Sequence, residues 1–361
     1  MPDLPGTALL DGVRKEVERN ALRARNGVKW AVGAEWAPRH PTDHDIVWED
    51  GKAQLRHYRN DTPPRLRTPV IAFLGLVGQP YVFDLYKGGS VVQMLMDHGF
   101  DAYIMDWGVP DAQDAANTLE TYLQGYFPRA LNAACVESGV EAVNCMAYCM
   151  GGCMALHALA AQPDLPIHAL VTLASPFDFS KLGPLIDALR LGKINPADVI
   201  DDDGLLPASV VLQSFKSRKP TSDLVNYVNL WQNLWNDQYM EGYQAIGRFL
   251  SDHIPLPGAL FEQVTRQWLR DNGFVNDKLR LGGRRASLGN VHNPVLAVIA
   301  ERDDICVESA TAVIADVLTG TKTELLRVDA GHASLFSGRK AVKAVMPRIF
   351  DWLEGQSEVI A

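Results

Sequence analysis

Six short apolar runs, set apart by segments with helical spacing, limit the possible folds of this chain more than any other feature. They fall at 69–76 (PVIAFLGL), 101–108 (DAYIMDWG), 142–148 (AVNCMAY), 168–175 (HALVTLAS), 294–301 (PVLAVIAE) and 324–330 (ELLRVDA). Runs this short, mostly continuous in apolar character and closed by turn residues, predict strands buried on both faces. Between them, Ser90 to His98 carries helical spacing and stops at Gly99, a natural residue after a helix end. Asn117 and Glu120 are spaced as an N-cap with a reach-back carboxylate. They would open a helix with the stripe Leu119, Tyr122, Leu123, Tyr126 and Leu131, kinked at Pro128. Strands alternating with helices predict an α/β protein with a mostly parallel, doubly wound sheet.

The rhythm divides the chain. Residues 1–60 read as a helical and irregular segment, with a charge-rich amphipathic helix at 8–26 followed by Trp30, Trp36 and Trp48. Residues 61–177 and 291–361 form the α/β core. Residues 178–290 read as helix and loop inserted between late strands, the pattern of a cap over the strand ends. The uncharged stretch 142–161 is just long enough to span a bilayer. It holds Asn144, Gly151-Gly152 and His157 and lacks basic flanks, so a buried strand running into a buried helix is expected, and no transmembrane segment.

Composition removes several function classes. A net charge of −9 argues against a nucleic-acid partner, which would demand a basic face. Hydrophobic residues at 47% exclude disorder, and 361 residues bury a core without staples. Five cysteines, four of them within 135–153, are no secreted disulfide framework. The N-terminus carries no apolar signal core, and a reducing cytoplasm is the expected location.

The chemistry concentrates at Tyr148-Cys149-Met150-Gly151-Gly152, between a strand and a helix. This is the setting of a nucleophile elbow, a strained turn that exposes one side chain. Cys149 holds the nucleophile position, and Ala147 stands where the pattern expects glycine. The helix N-terminus would favour the Cys149 thiolate, and the Met150 N–H would serve as one oxyanion donor. The plain alternative is a small buried cysteine. Cys145, Cys149 and Cys153 are four apart, but the Gly151-Gly152 pair and the preceding strand break any shared helical face. With no second ligand pair, no metal is expected, and Cys145 and Cys153 read as packing residues.

A nucleophilic cysteine needs a base, and the base an orienting acid. Glu301-Arg302-Asp303-Asp304 closes one late strand, and Ala330-Gly331-His332-Ala333 closes the next. Nucleophile, acid and histidine therefore follow in the α/β-hydrolase order. The rival serine segment Arg285-Ala286-Ser287-Leu288-Gly289 lacks the first glycine and follows no strand.

Across about 60–345 the chain resembles the polyhydroxyalkanoate synthases. The resemblance rests on linked segments: 69–85, Asp106-Trp107-Gly108-Val109-Pro110, Tyr148-Cys149-Met150-Gly151-Gly152, and Trp235-Asn236-Asp237. It continues through Gly282-Gly283-Arg284-Arg285, 294–304, and Gly331-His332 with Ser337-Gly338-Arg339-Lys340-Ala341. The resemblance implies an α/β-hydrolase fold with a helical cap, Cys149 as acyl-carrying nucleophile, Asp303 as acid and His332 as base. It also implies an oxyanion hole from the backbone N–H groups of Val77 and Met150. Ala147 and Met150 depart from the family's glycine and glutamine.

The activity so implied is acyl transfer. A 3-hydroxyacyl group leaves a coenzyme A thioester, joins Cys149 and passes to the hydroxyl end of a growing polyester. Coenzyme A is then part of the substrate, and no cofactor is expected. A thioesterase or polyester depolymerase of the same fold is the first alternative, and a non-catalytic granule-associated paralogue the second. The chain's length is similar to the family's short catalytic subunits, which implies an accessory subunit, a homodimer and association with polyester granules.

Overall fold

The computed structural model describes residues 5–36, 38–39, 41–59, 62–216, 230–337 and 339–360. Eight strands make the central sheet: β1 His44–Asp50, β2 Ala53–Tyr58, β3 Val70–Leu74, β4 Ala102–Asp106, β5 Val143–Tyr148, β6 Ile167–Leu173, β7 Val295–Ala300 and β8 Thr323–Val328. Their order is β1-β2-β4-β3-β5-β6-β7-β8. Strands β3 to β8 pair with one another in parallel, whereas β2 runs antiparallel to both β1 and β4.

The pleat explains why the apolar runs were continuous. In β3, Ile71 and Phe73 enter one core, and Val70, Ala72 and Leu74 enter the other. In β5, Val143, Cys145 and Ala147 face the first core, with Met146 and Tyr148 facing the second. Successive side chains point to opposite faces, and helices cover both, so neither phase of the pattern can be polar. Helix α2 (Val91–His98) starts at Ser90, whose side chain accepts from the Gln93 N–H at 3.0 Å, and ends at left-handed Gly99.

Several expectations change. The β1–β2 hairpin lies inside the segment read as helical and irregular. Its two-residue turn, Gly51-Lys52, puts a glycine with φ 59° at the first loop position, as a type II′ hairpin turn prefers. The polar sequence of the edge strand β1 hid it. The helix after β4 begins at Leu119 without an Asn117 cap, and the Glu120 carboxylate instead accepts from Gln263 Nε2 and the Gly282 N–H. At Pro128 there is a wide π segment, Thr121–Tyr126, leading into α3 (Phe127–Ser138). The Phe127 N–H reaches back to Tyr122 O, and this wide turn carries the chain past the proline ring.

Helix α1 spans Pro5–Ala31, longer than expected. It docks on the helix Asp237–Ser251 rather than on the sheet. The buried Asn26 amide donates to Leu234 O and Asp237 Oδ1 at 2.7 and 2.8 Å, and Arg25 pairs with Asp237. Residues 178–290 contain this helix, several shorter ones and two small two-stranded sheets, while β6 and β7 on either side pair directly. Among the described residues no helix is long and apolar enough to cross a membrane; the 142–161 stretch divides into β5 and α4 (Met150–Ala161).

Candidate active site

Cys149 sits between β5 and α4 with φ 55° and ψ −126°, a conformation that side-chain-bearing residues seldom hold. Close packing enforces it. A Cβ on Gly152 would lie 2.2 Å from Ser175 Oγ, and one on Gly75 would lie 2.3 Å from the Met150 Cβ. The Cys149 N–H donates to Leu173 O of β6 at 2.8 Å, tying the turn to the sheet. Ala147, where glycine was expected, is fully buried in β5 opposite Phe73 and Thr172, and the turn keeps its shape with a methyl there.

Asp303 follows β7 and His332 follows β8, so the parallel sheet delivers both to the strand ends where β5 delivers Cys149. His332 Nδ1 lies 2.6 Å from Asp303 Oδ2. The other carboxylate oxygen accepts the N–H groups of Ile305 and Cys306, both at 2.8 Å. Asp303 is therefore the acid of the Asp303-Asp304 pair that holds the imidazole. With Nδ1 engaged by the carboxylate, Nε2 faces the sulfur. Tyr148, one residue before Cys149, packs its ring 4.9 Å from the imidazole. Its hydroxyl donates to His332 O at 3.3 Å, linking the histidine loop to the elbow.

Electrostatics favour an ion pair. A hydrogen bond from the Cys306 thiol, against the cost of burial, is the largest influence holding the Cys149 thiol well below its ordinary value. The charge and hydrogen bond of His332 and the Met150 N–H act in the same direction. Burial opposes a charged His332, but the Cys149 thiolate and Asp303 overcome it and raise the imidazole to about 10. Cys145 and Cys153 are the reverse case: burial pushes both thiols up, and the Cys153 Sγ donates to Pro176 O.

Met150 opens α4, and its N–H points at the Cys149 sulfur. Val77 lies in the turn after β3, two residues beyond Gly75, which touches Met150. That turn is gripped on both sides. Trp107 Nε1 donates to Leu74 O at 2.8 Å, and His253 Nδ1 donates to Val77 O at 2.9 Å. The sequence reading gave neither residue a role. A cavity of about 560 Å³ lined by Glu120, Arg266, Lys278, Arg280 and Arg285 includes none of the three triad residues.

Residues 68–339 match the model of the alpha/beta hydrolase fold family. The poly(3-hydroxyalkanoate) polymerase subunit PhaC of Thiocystis violacea is 30% identical over 96% of this chain and 98% of its own length. The chain belongs to the poly(3-hydroxyalkanoate) polymerase family. It is thereby an enzyme of the acyltransferase class. The subunit from Allochromatium vinosum is 28% identical over 95% of this chain and 97% of its own. The one from Haloferax mediterranei is longer, and the match spans 65% of it. Among solved structures, a hydrolase from Pseudomonas aeruginosa superposes with TM-score 0.53 at 16% identity, over 88% of this chain and 99% of that one. An esterase from Thermogutta terrifontis gives 0.51 at 14%, over 88% and 100%. At such identities these two speak for the fold alone.

Within this polymerase-family site, the sequence reading passed over Cys306. It stands three residues after Asp303 on the same turn, is buried, and hydrogen-bonds to Cys149. The only sequence signal was a cysteine close behind the acid. Of the resemblance segment 337–341, Gly338 lies outside the described residues.

Proposed function

We propose that the chain polymerises 3-hydroxyacyl groups from coenzyme A thioesters through a covalent Cys149 acyl-enzyme. The observation that carries this is a strained cysteine on the elbow, paired with a histidine whose other nitrogen is held by a buried carboxylate, in a chain of this family. The Cys149 thiolate attacks the thioester carbonyl. Oxyanion charge is met by the N–H groups of Met150 and Val77. As the carbonyl re-forms, the coenzyme A sulfur leaves with the proton from His332 Nε2. His332, now neutral, accepts the proton of the chain-end hydroxyl, whose oxygen attacks the Cys149 thioester. The new ester bond forms and the thiolate returns beside a recharged imidazolium. Asp303 holds the ring in one tautomer and balances its charge at both steps. Cysteine suits the task because exchange between two thioesters is nearly balanced in energy, and the acyl-enzyme stays reactive toward alcohols.

Coenzyme A thioester is thus a substrate, no cofactor is needed, and residues 178–290 would keep water from the acyl-enzyme. An accessory subunit, a homodimer and attachment to polyester granules belong to the same reading. Incubation with 3-hydroxybutyryl-CoA tests it: thiol release should accompany insoluble polymer, with a hydroxyacyl adduct on Cys149. Thiol release with free hydroxyacid and no polymer would instead identify a thioesterase. A Cys149 inert to the thioester would identify a non-catalytic paralogue.

A further inference from the structure

Three soft donors meet at the base of this site. The sulfurs of Cys149 and Cys306 and one ring nitrogen of His332 all lie within 4.8 Å of one another, and all three residues are buried. Since His332 Nδ1 is bonded to Asp303, the nitrogen facing the sulfurs is Nε2. A tetrahedral zinc ion with Zn–S near 2.3 Å and Zn–N near 2.0 Å would hold its donors about 3.5–3.8 Å apart. Donors already this close need draw together by at most about 1.3 Å to share such an ion.

The surroundings are those of a thiophilic site. A carboxylate on the far nitrogen of a ligating imidazole fixes its tautomer and raises its basicity, and Asp303 is so placed. Hard cations find nothing comparable, since both Asp303 oxygens are committed, one to His332 and one to two backbone N–H groups. The spacing of Cys145, Cys149 and Cys153 gave no reason to expect a metal, and the fold does not group those three. It groups Cys149 with Cys306, a residue 157 positions later.

We propose that Cys149, Cys306 and His332 bind one zinc-class divalent cation, leaving a fourth position for water, and that the bound ion occupies the nucleophile. On binding, the Cys306 thiol and the His332 imidazolium each release one proton, while Cys149 enters as thiolate. Two sulfur–metal bonds and one nitrogen–metal bond form, and no electron is transferred. Ligation depends on the three side chains alone; only its inhibitory consequence rests on the acyl-transfer reading.

Cobalt(II) titration of the reduced, chelator-treated protein tests the site. Expected are one ion per chain, a sulfur-to-cobalt charge-transfer band in the near ultraviolet and tetrahedral bands in the visible, all displaced by zinc. Cys306→Ala removes a direct ligand and should weaken binding by more than the roughly 100-fold that loss of an outer-shell partner can cost; Cys306→Ser, closer in size, serves if the alanine variant misfolds. Zinc should also shield Cys149 from iodoacetamide, read by peptide mass, and Cys306→Ala should weaken that shielding. A missing charge-transfer band, or one of equal affinity without the Cys306 sulfur, overturns the proposal. If the band appears and no polymer ever forms, the metal site stands and the polymerase reading fails. If zinc inhibits polymerisation by the Cys306→Ala protein as strongly as the parent, the ion acts elsewhere and the proposal is wrong.

Discussion

At Cys149 the sulfur, its imidazole partner and a strained backbone are already set together, as the proposed attack on a thioester requires. Cys149→Ala should abolish polymer formation and thiol release while the protein stays folded. Cys149→Ser should be nearly inactive, because a hydroxyl beside His332 is the weaker nucleophile and the poorer acyl leaving group. His332→Gln should fall by about 10³-fold or more, as triad losses do. Asp303→Asn should be nearly as damaging, and Asp304→Asn mild, since Asp303 alone of the pair holds His332; comparable kcat values for the two asparagine variants would contradict that. The ion pair also has a pH signature. An ordinary thiol titrates near 8.5, so its alkylation quickens about tenfold per pH unit below that. With Cys149 held well below its ordinary value and His332 raised to about 10, iodoacetamide labelling of Cys149 should rise with pH less steeply than that of an ordinary thiol. The dependence should steepen in His332→Gln, and further when the Cys306 thiol, the largest lowering influence, is removed as well.

Helix α4 is seated tightly enough to hold the elbow in its strained conformation. Its first turn is glycine because Phe73, Leu74 and Ser175 lie against it. Gly152→Ala should destabilise by about 1–3 kcal/mol through overpacking, visible as a lower Tm. Further along, His157 is fully buried, with Nε2 donating to Arg280 O and Nδ1 accepting from Trp268 Nε1. Burial lowers its pKa to about 4, so it is a neutral fastener between α4 and residues 268–280, not a ligand or base. The sign follows from proton binding: below about pH 6.5 the unfolded histidine takes up a proton that the folded one refuses. Stability is full above 6.5 and lost as pH falls toward about 4, by roughly 3 kcal/mol for this one group. His157→Gln should flatten that part of the stability profile, measured by urea unfolding from pH 7 to 4.

Across the whole molecule, α1 and the aromatic residues after it bind the helix Asp237–Ser251, whose C-terminal end leads to Asp252 and His253. Asp252 accepts from Tyr81, and His253 bonds Val77 O, so one chain of contacts runs from α1 to the turn bearing Val77. Asn26→Ala should cost about 1–3 kcal/mol by leaving Leu234 O and Asp237 without their buried donor. An accessory subunit that binds along this route would shift any opening of the cap by its differential affinity. The isolated chain should then show a lag before polymerisation, shortened by a co-expressed subunit; lag-free kinetics of the lone protein would remove the reason for such a partner.

Local pattern was enough for the strand-by-strand scaffold and for the chemistry at its tips. A strand buried on both faces must be apolar throughout, and a sharp turn beneath a helix must be small-sided, so 69–76, 142–148 and Gly151-Gly152 declare themselves. The order Cys149, Asp303, His332 was legible for the same reason, each following an apolar run. The β1–β2 hairpin was not, because an edge strand needs only one buried face and its polar residues imitate a loop. Nor does local pattern say which of two adjacent aspartates turns inward, that Glu120 bonds across to Gly282, or that α1 docks on residues 234–244. Those outcomes depend on what lies opposite, and partners from 29 to more than 200 residues apart leave no periodic trace. Cys306 shows this most plainly: in sequence it is one cysteine in a turn, and only the pairing of β7 with β6, itself paired with β5, sets its sulfur beside Cys149.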